Sequence, residues 1–322
     1  MPAQSFSITP SGPFSLAEAA TFGFGQRQDD GFDGVMRLAF CLDGYEGHAG
    51  VEVRQDATPA GAGTVHCTVR TAGTVRTAGH ADLGLVRRQV ARVLSLDHDG
   101  AQFMLVGERD PVIGALQAAA PGLRPPLFYS PYEAAAWSVL SSRRPARQMM
   151  GVRDRLSQAH GPVFELASRP LAAFPAPAAL LDVESFPGIP DDKMRRLHGV
   201  ASAALEGRLD VGQLQQLGPE AAMEQLQAIN GIGPFYSSLI VIRGTGFADV
   251  LAVNEPRALA LVARLYGLDA DPSPEQFRAL AEPWRPFRTW AVVLIRAAGG
   301  RILDAPAAAP AAGRGQPGNT RG

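Results

Sequence analysis

The chain has 322 residues, of which 46% are hydrophobic and 19% are charged, and its formal net charge at pH 7 is −1. This composition is typical of a soluble globular protein with room for two domains, and it excludes a strong overall attraction for nucleic acid phosphates. The sequence has no apolar run of about 18 residues and no signal-peptide pattern at its N-terminus, so a cytoplasmic location is expected.

Cysteine, histidine and lysine are all sparse. Two cysteines, Cys41 and Cys67, are too few for a disulfide framework or a four-cysteine metal cluster. The six histidines are scattered, with no pair four residues apart, so no structural metal site is predicted. Lys193 is the only lysine, and almost all basic residues are arginines.

Residues 1 to about 106 favour β-strands. Three stretches alternate β-branched or apolar residues with polar ones, namely GVMRLAFCLDG, HAGVEVRQ and GTVHCTVRTAGTVRTAG. The last contains a duplicated hexamer, residues 68–73 and 74–79, which we interpret as strand plus turn. One helix is predicted over about residues 81–95 from its helical spacing of apolar residues. An α+β domain with an antiparallel sheet is therefore predicted over residues 1–107.

After Asp110 the pattern changes to helices with clear start signals. Asp110 is followed by a proline, which is typical of an N-cap and a first helical position. Ser130, with a glutamate three residues later, and Ser273, with a glutamine three residues later, have capping-box spacing. Pro219 is expected to begin one helix and Gly207 to end an earlier one. An all-α domain is predicted over residues 108–303, followed by a disordered Ala/Pro/Gly-rich tail over 304–322.

The stretch INGIGPFYSSLIVIRGTGFADVLAVNEPR runs from Ile229 to Arg257. It indicates a helix end, a tight Gly-x-Gly turn, a second apolar helix and then an acid directly before a proline. The first backbone N–H groups of the second helix lack partners within the helix and suit a phosphate oxygen. On these residues alone, an ordinary helix–helix turn with a glycine cap is the better interpretation.

The wider sequence resembles a known family. Leu226–Arg257 is similar to the helix-hairpin-helix motif of DNA glycosylases, most closely in the bacterial DNA-3-methyladenine glycosylase II group. Three further segments resemble that group in the same order, namely DPVIGALQAAAPGLRPP, LHGVASAALEGRL and WRPFRTWAVVLIR. The resemblance covers about Asp110–Ile302 and implies a helical helix-hairpin-helix glycosylase domain.

The resemblance implies a monofunctional DNA glycosylase of base-excision repair. Such an enzyme hydrolyses the N-glycosidic bond of a flipped damaged base, here expected to be alkylated. A carboxylate stabilises the positive charge that develops on the sugar, and Glu255 matches the family's catalytic aspartate. Phe235 stands where bifunctional members carry a lysine nucleophile, and Lys193 lies well upstream, so no lyase activity is expected.

Glu255 departs from the family pattern. Glutamate keeps the charge of aspartate but moves it by about one bond length, and such a displacement can cost about a hundredfold in rate. The alternative role is that Asn254 or Glu255 only caps the helix beginning near Pro256, although capping and catalysis are compatible. The alternative function is a non-catalytic protein that binds damaged DNA and has lost the catalytic aspartate.

The base pocket implied by the resemblance also departs from the family. Aromatic pocket positions of the family are matched here by Phe235, Arg296 and Leu239. Tyr236 is a further candidate for the pocket, with core packing as an equal alternative. Arg296 puts a cation beside the base, which is unfavourable for a positively charged alkylated purine. A glycosylase for an oxidised or deaminated base, hydrogen-bonded by Arg296, is therefore a third hypothesis.

The resemblance also implies how the chain holds its partner, double-stranded DNA containing a damaged base. The backbone of the hairpin is expected to contact the DNA strand through Asn230, Gly231, Ile232 and Gly233. The candidate ligands for a monovalent cation, Na⁺ or K⁺, are the carbonyl groups of Ala228, Ile229 and Gly231. No other cofactor is expected, and we expect a monomer associated with the nucleoid.

A second candidate DNA contact is the segment SSRRPARQ, residues 141–148. Arg143, Arg144 and Arg147 put three cations on a short stretch, which suits contact with phosphates. A solvated helix face that pairs with nearby acids explains the same residues equally well.

Overall fold

The computed structural model describes residues 4–22, 31–57, 63–72 and 83–304. The N-terminal part forms an antiparallel sheet in the order β1-β4-β3-β2. Its strands are β1 (Gln4–Ile8), β2 (Met36–Cys41), β3 (His48–Gln55) and β4 (Val65–Ala72), accompanied by the helices α1 (Leu16–Phe22) and α2 (Leu83–Val93). The three predicted strands and the predicted helix are confirmed, whereas β1 and α1 were not singled out.

One face of the sheet forms part of the core, because buried and more exposed residues alternate along its strand β4. In β4 the buried residues Val65, Cys67 and Val69 alternate with more exposed neighbours. They pack with Val86 and Val90 of α2 in one apolar cluster. The second copy of the duplicated hexamer lies outside the described residues.

From residue 100 on, the described chain is mainly helical. The helices are α3 (Gly100–Arg109), α4 (Pro111–Ala119), α5 (Pro131–Ser141), α6 (Ala146–His160), α7 (Pro177–Leu181), α8 (Asp191–Leu205), α9 (Val211–Leu217), α10 (Pro219–Gln227), α11 (Pro234–Gly244), α12 (Pro256–Tyr266), α13 (Pro274–Leu280) and α14 (Arg288–Leu303), with a 3₁₀ turn at Glu282–Trp284. None of the helices in the described ranges is long and apolar enough to cross a membrane. Of the predicted tail, only Asp304 is described.

The predicted helix boundaries are largely confirmed. Asp110 caps α4, and Ser130 caps α5 through its hydroxyl oxygen. Ser273 forms the complete capping box of α13, and Pro219 begins α10. α8 ends shortly before Gly207, which has a φ of +80°.

Glu133 does not complete the capping box predicted for α5. Its carboxyl group is instead buried beside the end of β2, and one of its oxygens has no hydrogen-bond partner in the described structure. Burial raises the pKa of this carboxyl group to about 8, against the opposing charge of Arg153. The packing of α5 against the sheet therefore decides where this side chain points.

The domain predicted as all-α contains a β-hairpin. Its strands, β5 (Val163–Leu166) and β6 (Arg169–Ala172), pack against β2 and β3 of the N-terminal sheet. Phe164 lies so close to Gly50 that a Cβ atom there would meet its ring at 2.5 Å. α3 is a second departure from the prediction, because strands were expected up to about residue 106 and this helix begins at Gly100. The domain limits at residues 107 and 303 stay a prediction.

Two apolar clusters in the helical part lie on either side of the candidate site. One is centred on α5 and α8 and includes Leu140 and Leu197. The other joins α4, α12 and α14 and includes Trp284 and Trp290. The hairpin helices α10 and α11 pack on the first cluster, and α14 belongs to the second, so the site lies where the two clusters meet.

Candidate functional site

The helical hairpin is formed by α10, the loop Ala228–Gly233 and α11. Gly231 has a φ of +94°, a conformation that favours glycine, and a Cβ atom there would lie 3.0 Å from Cδ of Arg196. Gly233 precedes α11 and provides no side-chain cap. The N–H groups in the first turn of α11 are therefore left for an external acceptor.

The four predicted hairpin contacts are not equivalent. Asn230 and Gly231 are exposed, and Gly233 is half-buried. Ile232 is buried, and its N–H donates to the carbonyl of Ile229 at 3.0 Å. The amide of Ile232 is thus already used inside the loop, which removes it from the predicted contacts to DNA.

Glu255 lies at the start of α12 in an extended conformation, as expected before Pro256. Its Oε2 accepts the N–H of Ala258 at 2.8 Å. The same oxygen lies 2.6 Å from Nη1 of Arg296. Capping is thus performed by Glu255 and not by Asn254, and Oε1 of Glu255 makes no hydrogen bond to any described residue.

A cavity of about 610 Å³ brings the predicted pocket residues together. Phe235, Leu239, Glu255 and Arg296 all line it, as does Asn254. This volume lies within the range of small-ligand sites. Phe235 is 58% exposed, so its ring is available for stacking on a base. The rest of the cavity wall is mainly apolar and includes Phe22, Met223, Leu251, Val253, Ile242, Val292 and Val293.

Tyr236 does not line this cavity. Its ring packs on the cluster around α5 and α8 and meets Phe235 edge to face, with ring centroids 5.3 Å apart. One step along a helix rotates a side chain by about 100°, which turns Tyr236 away from the wall that contains Phe235. The core-packing alternative is therefore correct for this residue.

Some cavity residues could have been predicted and were missed. Ser238 and Ile242 follow Phe235 and Leu239 at helical spacing on α11, and Val292 and Val293 precede Arg296 on α14. Phe22 lies on α1 and Met223 on the first hairpin helix, α10, and no sequence pattern connects either with the cavity wall. Their place in the wall depends on tertiary packing.

Arg243 provides a second cation in the cavity wall. Its guanidinium group donates to the carbonyl of Pro126 and lies 5.7 Å from the ring centre of Phe22. Burial, with a contribution from the charge of Arg296, lowers the pKa of Arg243 to about 9. The cavity is therefore lined by two guanidinium groups and one carboxylate.

The arginine-rich segment runs from the end of α5 into the first turn of α6, and we call it the α5–α6 loop. Arg143 and Arg144 lie between the helices, Pro145 precedes α6, and Arg147 lies in the first turn of α6. Arg143, Arg144 and Arg147 are exposed, and none forms an ion pair with an acid in the described structure. The alternative that they pair with nearby acids is thus unsupported by the geometry. Arg143 has a φ of +54°.

Lys193, on α8, lies beside the end of α5, where the α5–α6 loop begins. Its Nζ donates to the carbonyls of Leu140 and Ser142 at 2.6 and 2.8 Å, at the end of α5. Burial, followed by the charge of Arg144, lowers its pKa. One turn further on α8, Cδ of Arg196 lies beside Gly231, 3.0 Å from where a Cβ atom on that glycine would stand. Lys193 is therefore bound to main-chain carbonyls and does not line the cavity.

The chain is similar in sequence to known DNA repair proteins. It is 29% identical over 190 residues to DNA-3-methyladenine glycosylase 2 of Escherichia coli, covering 57% of this chain and 63% of that protein. It is also 29% identical over 219 residues to the probable bifunctional transcriptional activator/DNA repair enzyme AlkA of Mycobacterium tuberculosis, covering 65% of this chain and 42% of that protein. The chain thus spans less than two thirds of either relative. No protein-family model matches it.

Solved structures share the fold over nearly the whole chain. The 3-methyladenine DNA-glycosylase from Archaeoglobus fulgidus matches with a TM-score of 0.70 at 20% identity, covering 90% of this chain and 96% of that one. MBOgg1 in complex with a low affinity DNA ligand matches with a TM-score of 0.67 at 15% identity, covering 94% and 99%. The chain has the fold of the helix-hairpin-helix DNA glycosylases. Its sequence is similar to bacterial proteins that are named as DNA-3-methyladenine glycosylases or DNA repair enzymes.

Proposed function

We propose that the protein is a monofunctional DNA glycosylase of base-excision repair that acts on a damaged, alkylated base. The observation that carries this proposal is the cavity of about 610 Å³ in which Glu255, Phe235 and Leu239 meet directly beside an uncapped helical hairpin. The names of the relatives, which are DNA-3-methyladenine glycosylases, support the same chemistry.

In the proposed reaction, the flipped base enters the cavity and stacks on the ring of Phe235. The bond between the sugar carbon C1′ and the base nitrogen breaks, which leaves positive charge on the sugar. The carboxylate of Glu255 stabilises this charge in a pocket with mainly apolar walls. A water oxygen then bonds to C1′ and releases one proton, which leaves an abasic site.

A lyase step is not part of the proposal. A Schiff base requires an amine that can reach C1′, and Lys193 is the only lysine. Its ammonium group is held by two carbonyls at the end of α5 and lies outside the cavity. Water is therefore the proposed nucleophile.

We propose that two segments hold double-stranded DNA. The free N–H groups at the start of α11 suit one phosphate, and the cations of the α5–α6 loop suit another. Neutral carbonyl oxygens in the hairpin also suit Na⁺ or K⁺, because these ions prefer oxygen ligands. The carbonyls of Ala228 and Gly231 accept no hydrogen bond in the described structure, and that of Ile229 accepts one. Removal of Na⁺ and K⁺ from the buffer is therefore expected to weaken DNA binding.

The alternative function is a non-catalytic protein that binds damaged DNA. Its support is that Oε2 of Glu255 is already used by the cap of α12 and by Arg296. This protein would bind abasic DNA but release no base. The two functions therefore differ in a single measurable product.

The test of the proposal is base release from methylated duplex DNA. The wild-type protein is expected to produce abasic sites that break only after alkali treatment, because it has no lyase activity. Strand breaks without alkali would contradict the monofunctional proposal. Tight binding of abasic DNA, without base release from any lesion in a panel, would establish the non-catalytic alternative.

Replacing the three loop arginines is expected to weaken DNA binding without abolishing base release. The triple variant Arg143→Ser, Arg144→Ser, Arg147→Ser removes up to three phosphate contacts. The slope of log K against log salt should fall in magnitude by about 2 to 3, since each phosphate contact contributes about 0.9. Fluorescence anisotropy at several salt concentrations measures this slope.

The matched control removes three exposed arginines elsewhere. Arg87 and Arg88 on α2 and Arg278 on α13 are exposed and form no ion pair in the described structure. Their triple replacement by serine changes the net charge equally. Equal salt slopes for both triple variants would show that the loop makes no specific contact.

A further inference from the structure

The charges that line the cavity do not balance. Among the described residues, Arg243, Arg296 and Glu255 are the charged ones in its lining, which gives two cations for one anion. A base that already carries positive charge, such as a 7-alkylguanine, would enter a wall with excess positive charge. An uncharged base meets no such repulsion.

The two arginines differ in what they can still donate. Arg243 is buried, donates to the carbonyl of Pro126 and lies near the ring of Phe22. Arg296 is 31% exposed, and only its Nη1 is engaged, by Glu255. Its Nε and Nη2 make no hydrogen bond to any described residue. Arg296 can therefore offer several N–H groups to a base in the cavity.

The charge of the base determines whether a hydrogen-bond donor can stabilise it as it departs. When the bond between C1′ and the base nitrogen breaks, the electron pair goes to the base. A cationic base then departs as a neutral molecule, and the reaction with water releases one proton to solvent. An uncharged base departs with developing negative charge and afterwards takes up one proton, so that the same water supplies both the sugar hydroxyl and this proton. Only the uncharged base gains from a donor beside it.

We propose that Arg296 donates hydrogen bonds to the departing base and makes the site selective for uncharged purine lesions that carry a carbonyl or ring-nitrogen acceptor. This inference rests on the proposed glycosylase activity, and it replaces the alkylated base proposed above by uncharged purine lesions as the preferred substrate class. Arg296 acts on the leaving base, whereas Glu255 acts on the sugar. The ion pair of 2.6 Å between them holds both groups at the same end of the cavity.

The experiment compares two duplexes that differ only in the lesion. One contains hypoxanthine, which is uncharged, and the other contains 7-methylguanine, which is cationic. Single-turnover release is measured for each and expressed relative to spontaneous release from the same duplex, because 7-methylguanine is intrinsically more labile. The wild-type protein is expected to enhance hypoxanthine release more strongly than 7-methylguanine release.

The variant Arg296→Gln should reverse this preference. It is expected to lower hypoxanthine release by about a hundredfold, the usual effect of losing one donor to a developing anion. Release of 7-methylguanine should fall less than that of hypoxanthine, because the cationic base departs as a neutral molecule and gains nothing from a donor. Arg296→Lys keeps a cation beside Glu255 but loses the guanidinium fork. Its rate of hypoxanthine release should lie between those of the wild-type protein and Arg296→Gln.

The outcomes separate the inference from the proposed function. If both lesions lose rate equally in Arg296→Gln and in Arg296→Lys, Arg296 only positions Glu255 and the inference is wrong. A stronger wild-type enhancement for 7-methylguanine would also overturn it, while leaving the glycosylase function intact. Release of neither lesion, nor of any other, by the wild-type protein would reject the glycosylase function itself. Thermal melting of each variant shows whether it is folded.

Discussion

Glu255→Gln is expected to lower the single-turnover rate of base release by about a hundredfold or more, with little change in DNA affinity. Glutamine has nearly the same size and keeps an oxygen that can accept the N–H of Ala258, so the cap of α12 is retained. It lacks the negative charge that stabilises the sugar in the proposed transition state. Release from a damaged duplex and binding to an abasic duplex are measured side by side.

Two further variants make this result specific. Glu255→Asp keeps the charge and the capping oxygen but withdraws the carboxylate by about one bond length, so it should retain more release than the Gln variant. Glu275→Gln makes the same chemical change at an exposed acid on α13, outside the cavity, and it should leave the rate nearly unchanged. Full activity of the Gln variant would show that Glu255 is only a cap and that the charge has no catalytic role.

Asp110→Ala is expected to lower the free energy of unfolding by about 3 to 5 kcal/mol. This buried carboxylate caps α4 by accepting the N–H groups of Val112 and Ile113. Its other oxygen accepts the hydroxyl of Tyr266 at 2.6 Å and the indole N–H of Trp284 at 2.7 Å. Alanine would leave a fully buried indole donor without a partner. Urea denaturation followed by circular dichroism measures the loss.

The location of Asp110 connects this loss of stability with the site. Tyr266 ends α12, which Glu255 caps at its other end, and Trp284 precedes α14, which contains Arg296. One carboxylate thus joins the two helices that hold the ion pair of the cavity. A reduced rate of base release is expected to accompany the loss of stability at temperatures near the unfolding midpoint.

Two controls test the reason for this effect. Tyr266→Phe removes one of the two side-chain donors and should cost about 1 kcal/mol. Asp99→Ala removes the other aspartate cap nearby, on α3. The donors to that side chain, Ser11 and Ala101, are exposed, so no buried donor is left unpaired and the effect should be much smaller. Equal losses for Asp99→Ala and Asp110→Ala would show that capping alone, without the buried donors, explains the stability.

Local chemistry allowed much of this protein to be predicted from its sequence. Alternation of apolar residues predicted β2, β3 and β4, and the proline after Asp110 and the serine at 273 predicted helix starts that the structure confirms. The tight turn of the hairpin requires a positive φ at Gly231, and Pro256 keeps the backbone of Glu255 extended. These features depend on a residue and its near neighbours in the chain, so no tertiary contact was needed to find them.

Tertiary packing decided what those residues do together. Arg296 pairs with Glu255 because α12 and α14 pack side by side, and no local pattern links residues 41 positions apart. The same holds for Phe22 in the cavity wall, for Lys193 at the end of α5 and for the buried carboxyl of Glu133. The hairpin and the position of its acid thus follow from residues that are close together in the chain. The charge balance of the cavity depends on contacts between side chains far apart in the sequence, which meet only after folding.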